Sequence, residues 1–438
     1  MKNASQPVPK NWAARFFTIW GGQAFSLFGS SLVQFALVWY LTKETGSATV
    51  LATATLVALL PQILLGPFAG ALVDRWNRRV IMMVADSAIA LATLVLVWLF
   101  ASGSIQVWHI FTLMAVRSLG GAFHQPAMTA STSLMVPEKH LARVAGANQT
   151  LQGAINIAAP PLGALLIELI STQNVLLIDV GTATIAVLPL FFIPIPQPPA
   201  QIAQANGETE KTSYWQDLRA GLTYVVKWPG LLGLIILAMI INFLLSPASA
   251  LLPLVVTKIF NGGAIELGWT ESLFGSGVIA GGILLSLWGG FKRRIMTSFS
   301  GIIGIGLGII MVGFIPSNIF YLLLASSFLT GFSQVFANGP LSAIFQSSVA
   351  PEMQGRVFSL LGAGATAMMP LSLMIAGPVS DYFGIRFWFI LGGAICILMT
   401  IAALFVPAIM NIETNNNGNQ SRQDEKDTNV PELHPITE

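Results

Sequence analysis

Five ionisable side chains stand inside long apolar runs of this 438-residue sequence: Asp86, Arg117, His124, Asp179 and Glu271. A charge at the centre of a bilayer-spanning helix costs ~2.5 to 3.5 kcal/mol even on a lenient insertion scale, so each needs a compensating partner or a role. The three carboxylates are candidate proton carriers. Asp86 and Arg117, opposite in sign and on consecutive runs, are expected to pair. Asp179 and Glu271 fall one to two turns from the far end of their runs, where a carboxylate can snorkel to water. Nothing here resembles a reaction centre: no paired carboxylates, Ser-His grouping or His/Asp metal cluster converges on one helix face, so an enzyme is not expected. His109, His124, His140 and His434 are scattered, and the single Cys396 lies in an apolar run. A metal site is therefore not expected. Without a Gly-rich phosphate loop no cofactor is expected either, and an ion gradient is the natural energy source.

Uncharged polar residues recur at helical spacing on five of the runs. Gln23, Ser26, Ser30 and Gln34 are separated by three, four and four residues, and Gln149, Gln152 and Asn156 form a second row. Arg117 and His124 lie two turns apart, Asn242, Ser246 and Ser249 share a run, and so do Gln334 and Asn338. Each row falls on one helix face. One amide can be glue between helices, but five such faces predict a shared cavity.

Between two runs stands Gly70-Ala-Leu72-Val-Asp74-Arg75-Trp-Asn-Arg78-Arg79. A glycine near a helix end permits close contact, and a carboxylate beside several guanidiniums can exchange partners or sit at a helix N-terminus. Topology alone would ask for Arg75, Arg78 and Arg79 but not for Asp74. This loop is the candidate gate. Its counterpart, Gly289 to Arg294, keeps Lys292, Arg293 and Arg294 but has no acid at Trp288 or Gly289.

The elements that must hold these residues follow from composition. Only 9% of the residues are charged, 54% are hydrophobic and the mean hydropathy is +0.73. A soluble surface needs roughly 25% charged residues, so lipid is the solvent for most of this chain. Spans of ~20 apolar residues must be helices, because a helix satisfies its own backbone. Twelve segments qualify: 16–41, 49–73, 80–102, 107–131, 144–169, 173–196, 230–256, 268–290, 295–315, 319–345, 357–380 and 386–407. The fold class is an all-α integral membrane protein. Its divisions are an N-terminal segment 1–15, a six-helix bundle 16–196, a linker 197–229, a second bundle 230–407 and a disordered tail 408–438. The linker carries Trp215, Leu218, Leu222 and Val225 at three- and four-residue spacing, as in a helix lying in the membrane interface. Of the 21 basic residues, all but Lys43, Arg117, Lys258 and Arg386 fall on the side shared by both termini. By the positive-inside rule that side is the cytoplasm. Basic residues in short groups between apolar runs exclude a nucleic-acid binder.

The two bundles repeat. Pro137-Glu138 with Arg143-Val144 is echoed by Pro351-Glu352 with Arg356-Val357, and the basic triplets of the two loops are about as far apart. Such repeats about an axis along the membrane normal are one architecture of alternating access.

The loop Gly70 to Arg79 resembles the signature of the major facilitator superfamily, with Asn77 where glycine is usual and Arg79 where lysine is commoner. Ala159-Pro160-Pro161-Leu-Gly163-Ala164 is similar to that family's antiporter signature, with alanines in place of two glycines. The macrolide-efflux branch is resembled by residues 16–48, by Arg117 to Ala127, by Ala343 to Gln346 and by Gly355 to Leu360. The resemblance implies a plasma-membrane exporter of small amphipathic molecules, by proton antiport, with Gly70, Leu72, Asp74, Arg75, Arg78 and Arg79 in a cytoplasmic gate. Partners would be membrane lipid, protons and the substrate, and the chain would be a monomer. Related branches export siderophores and lipids, so an uncoupled carrier of lysolipid or siderophore is the rival within transport. An intramembrane enzyme or a sensor is the rival outside it.

Overall fold

The computed structural model describes residues 11–73, 76–197, 214–349 and 351–413, and among these every regular element is helical. The first half comprises α1 (Trp12–Thr45), α2 (Ala48–Val73), α3 (Arg78–Ala101), α4 (Val107–Met135), α5 (Glu138–Leu169) and α6 (Thr172–Phe192). A short α7 (Tyr214–Val226) leads into the second half. That half comprises α8 (Pro229–Leu254), α9 (Ala264–Trp288), α10 (Arg294–Phe314), α11 (Phe320–Ser348), α12 (Pro351–Phe383) and α13 (Ile385–Leu404), followed by the single turn α14 (Pro407–Met410). One π-helical turn, Val255–Ile259, extends α8.

Eleven of these helices are long and apolar enough to cross a membrane. The twelfth, α4, has the length, 29 residues, but Arg117, His124 and a hydroxyl-rich C-terminal half dilute its hydropathy. It packs against α2 and α3 inside the first half. Outward faces are covered by side chains such as Trp98, Leu169, Leu287 and Phe405, all fully presented to the surroundings, as suits contact with lipid.

The halves share one packing plan. α1 against α6 is matched by α8 against α13, α2 against α4 by α9 against α11, and α3 against α4 and α6 by α10 against α11 and α13. Two pairs make the main crossings between halves, α5 with α9 and α2 with α12, while α8 touches α1 and α2 more lightly. Both crossings are made at the end that carries the α1–α2 connection. On α9, a side chain at Gly268 would lie 2.9 Å from Pro161 and 3.1 Å from Ala164 of α5. On α12, one at Gly377 would lie 2.8 Å from Thr49 and 3.0 Å from Ala52 of α2. Towards the other end the same faces are bare. Gly146 and Gly153 of α5, and Gly66 of α2, have nothing within 4 Å of where a side chain would begin. The molecule is therefore closed at one end and cleft at the end that carries its termini.

Three boundaries expected from the sequence move. α1 begins at Trp12 rather than Phe16, because Trp12 stacks on His140 at 5.1 Å and extends the helix beyond its apolar run. α5 and α12 each begin six residues early, since a helix leaves lipid without having to end there. The tail expected to be disordered from 408 is structured to 413: Ile412 is buried and the Glu413 carboxylate accepts from the backbone N–H of Ile295, 2.8 Å away, at the start of α10. The linker holds a helix, α7, which packs against α12 and α8. Val225 is buried and Leu222 is exposed, while the side chains of Trp215 and Leu218 lie outside the description.

Candidate functional site

Two polar tiers cross the interior of the first half. They are built from residues seven apart on three helices: Gln23 and Ser30 on α1, Asp86 and Thr93 on α3, His124 and Arg117 on α4. Seven residues are about two turns, or ~10 Å of rise, so the tiers are stacked along the helix axes. The α1 row that reads as one polar face is thus divided between two levels.

In the tier nearer the closed end, Arg117 Nη1 donates to Asp179 Oδ2 at 2.6 Å. Ser30 Oγ donates to Asp179 Oδ1 at 3.1 Å, and Thr93 Oγ1 approaches the other oxygen at 3.4 Å. Arg117 Nη2 also donates to the Ser30 carbonyl at 3.3 Å. Asp179 is 1% exposed, and α1 reaches it closely because Gly29 faces its Cα. Four helices thus converge on one compensated ion pair, the form in which a charge is tolerated at this depth.

In the other tier, Gln23 Nε2 donates to Asp86 Oδ2 at 3.0 Å, and His124 Nε2 stands 3.5 Å from Asp86 Oδ1. All three residues are buried, and His124 Nε2 completes no hydrogen bond. The pair differs in kind from the first. A guanidinium keeps its charge, whereas an imidazole is charged only when it has taken a proton, so this site can gain or lose one.

These contacts correct the expected pairing. Asp86 and Arg117 do not meet: each lies at the level of another partner, two turns apart. Asp179 is not solvated but sealed, and its depth was misjudged because distance from a span's end says nothing of which face the residue takes. Gln23, Ser30, Arg117 and His124, expected to line a cavity, belong instead to the interior of the first half. The other cavity candidates, Gln34, Gln152, Asn156, Asn242, Gln334 and Asn338, are exposed on their helices. Gln152 donates to Asn156 at 3.2 Å along α5. Glu271, half-buried on α9 between Gly268 and Gly275, has no hydrogen-bond or ionic partner among the described residues.

Of the loop residues, Asp74 and Arg75 lie outside the described residues, as do the surroundings of Gly70. Leu72 is half-buried. Arg78 is buried and donates to the Ala130 carbonyl of α4 at 3.0 Å. Arg79 donates through Nε to the Leu190 carbonyl and through Nη2 to the Phe191 carbonyl at 2.6 Å, both in the last turn of α6. Arg79 thus answers unpaired carbonyls at the negative end of α6, while Arg78 ties the start of α3 to the backbone of α4. On α5, a side chain at Gly163 would meet Phe35 of α1 at 3.0 Å, so this glycine closes α5 onto α1, while the Pro160 carbonyl faces Gly268 across the halves.

The closed end holds a contact that sequence reasoning missed. Asp381, at the C-terminal end of α12, accepts from the backbone N–H of Ala48 at 2.8 Å and of Thr49 at 2.9 Å, and from the Ser47 hydroxyl at 2.9 Å. The signal was present: Gly377 to Asp381 repeats the Gly-x-x-x-Asp spacing of Gly70 to Asp74. Beside it, a cavity of about 800 Å³ lies between the halves, lined among others by Trp39, Lys43, Glu168, Lys258 and Asn261.

Matched against protein families, residues 19–258 and 234–433 fit the model of the Major Facilitator Superfamily. The chain belongs to that superfamily. It is 34% identical over 403 residues to macrolide efflux protein A of Streptococcus pyogenes, covering 92% of this chain and 98% of that protein. It is 25% identical over 405 residues to the multidrug efflux pump Tap of Mycolicibacterium fortuitum, covering 88% and 94%. Among solved structures, the nucleoside transporter NupG superposes with a TM-score of 0.68 at 13% identity over 90% of this chain and 98% of its own. A bacterial metal transporter does so with 0.62 at 16% identity over 91% and 99%. The solved structures share the fold. The superfamily member described here is a multi-pass membrane transporter of the macrolide-efflux branch, not an enzyme.

Proposed function

We propose that this transporter exports small amphipathic, drug-like molecules from the cytoplasm across the plasma membrane, in exchange for protons, by alternating access. Near end-to-end similarity to a macrolide efflux protein supports the substrate class. The distribution of basic residues supports cytoplasmic termini, which makes the present conformation inward-open.

The observation that carries proton coupling is the contrast between the two tiers. Arg117 and Asp179 neutralise each other as a buried ion pair, so we assign them to holding α1, α3, α4 and α6 together. Asp86 and His124 form the exchangeable site, because a proton arriving there changes the net charge of a buried group. Glu271 is the second carrier, an unanswered carboxylate beside the closure of α5 on α9. The exposed amides Gln34, Gln152, Asn156, Asn242, Gln334 and Asn338 line the path of the solute, with apolar side chains between them. Asp74 and Arg75, with Gly70, Leu72, Arg78 and Arg79, make the gate that closes the cleft when the halves rock, and Pro160 and Gly163 lie in the α5 segment about which the opposite end opens. The transporter acts as a monomer, since each half supplies the other's gate.

Accumulation of a radiolabelled macrolide in a pump-deficient bacterial host tests the export reading. Cells expressing the chain should hold several-fold less drug, and a protonophore should abolish the difference. Equal accumulation across macrolides and cationic dyes, with selective movement of lysolipid, would replace the drug assignment by the lipid one.

A further inference from the structure

We propose that Asp381 is the latch of the closed end: its carboxylate clamps the N-terminus of α2 and must leave it before the cleft can open on that side. The inference rests on alternating access but not on the substrate or the coupling ion.

A helix leaves its first N–H groups unpaired, and its N-terminus carries a partial positive charge. At α2 those groups are answered from both halves. Ser47 Oγ accepts from the Val50 N–H at 3.3 Å, while Asp381, from the other half, takes the N–H groups of Ala48 and Thr49 and the Ser47 hydroxyl proton. No lysine, arginine or histidine pairs with Asp381 among the described residues, so an oriented backbone and one hydroxyl answer its charge. Hydrogen bonds to an ionised acceptor are roughly twice as strong as neutral ones, and three converge here.

Position makes the contact reversible. Asp381 is exposed and Ser47 is half-buried beside it, so water can take over each hydrogen bond as the halves part. One turn earlier, Gly377 admits the backbone of α2 at Ala48 and Thr49, which brings the two helices close enough for the carboxylate to reach. α2 and α12 run antiparallel across the halves, in contact at Gly377 and apart at Gly66, which has nothing within 4 Å of where a side chain would begin. Engagement at one end therefore accompanies separation at the other.

Electron spin resonance distances on the full-length protein in nanodiscs test this, without substrate or gradient. One label pair, S104C with S317C, spans the closed end, and a second, K139C with K292C, spans the cleft end. Native Cys396 is buried and stays unlabelled. The parent should give a short distance at the first pair and a long one at the second. Asp381→Ala should shift the closed-to-open ratio at the first pair roughly tenfold towards the longer distance and shorten the second. Gly377→Leu, which wedges the same helices apart, should move both distances in the same direction. If Asp381→Ala leaves the distribution of the parent, the latch is overturned, and opening by Gly377→Leu alone would assign closure to packing. Because no transport is read, failure of the drug assignment leaves this result standing, and failure of the latch leaves the drug assignment standing.

Discussion

At the scale of single residues, function follows from which cation faces which acid. Asp86, Arg117, His124 and Asp179 were all visible in the sequence as charges in apolar runs, but their partnership was not. Pairing depends on the depth and face of each residue on helices that sequence places only to within a turn or two. Arg117 meets Asp179 across 62 positions of chain, and Ser30 meets it across 149. Asp381 escaped notice for the opposite reason: it stands just past its expected span, 357–380, and its partners there are mostly backbone groups, which no residue type announces. The pair assignment has a stability consequence. Removing one member leaves an uncompensated buried charge at a cost of about 3 to 5 kcal/mol, whereas removing both costs far less. In detergent, Asp179→Asn and Arg117→Gln should each lower the melting temperature markedly, and the double variant should recover most of the loss. Additive losses would show that the two residues act independently.

At the scale of elements, helix ends carry as much of the mechanism as helix faces. The twelve spans were legible because hydropathy and spacing survive in a single sequence. The capping contacts were not. Arg79 holds the last turn of α6, Glu413 caps α10, and Asp381 caps α2 from the opposite half. Glu413 places a carboxylate beside the Lys292-Arg293-Arg294 loop that lacks one of its own, from a tail that composition alone marked as unstructured. Arg78 and Arg79 bond carbonyls of their own half, and the proposed gate assigns the loop carboxylate, Asp74, to the contact between halves. Asp74→Asn should therefore cut transport at least tenfold while membrane abundance, measured on immunoblots of the same cells, changes by less than half. Parallel losses in transport and abundance would return the loop to a purely topological role.

At the scale of the whole molecule, two similarly packed bundles meet at one end and part at the other. The repeat could be read from Pro-Glu and Arg-Val echoes, but the state could not, since sequence specifies both conformations at once. Polar interiors are unequal between the halves: the tiers occupy the first, whereas Glu271 stands alone on α9. That asymmetry suits a machine in which the exchangeable pair sits in the first half, a second carrier sits in the other, and both halves face the solute. Its central claim is that a proton gradient drives the solute uphill through this chain, with Asp86 and His124 as the exchangeable site. Proteoliposomes holding the purified protein, loaded with buffer alone and diluted into radiolabelled macrolide under an imposed pH difference, test it most directly. The account predicts accumulation above the external concentration when the lumen is acidic, collapse on adding a protonophore, and loss of that accumulation in Asp86→Asn with solute exchange retained. Accumulation indifferent to the pH difference, or unchanged in Asp86→Asn, would contradict it.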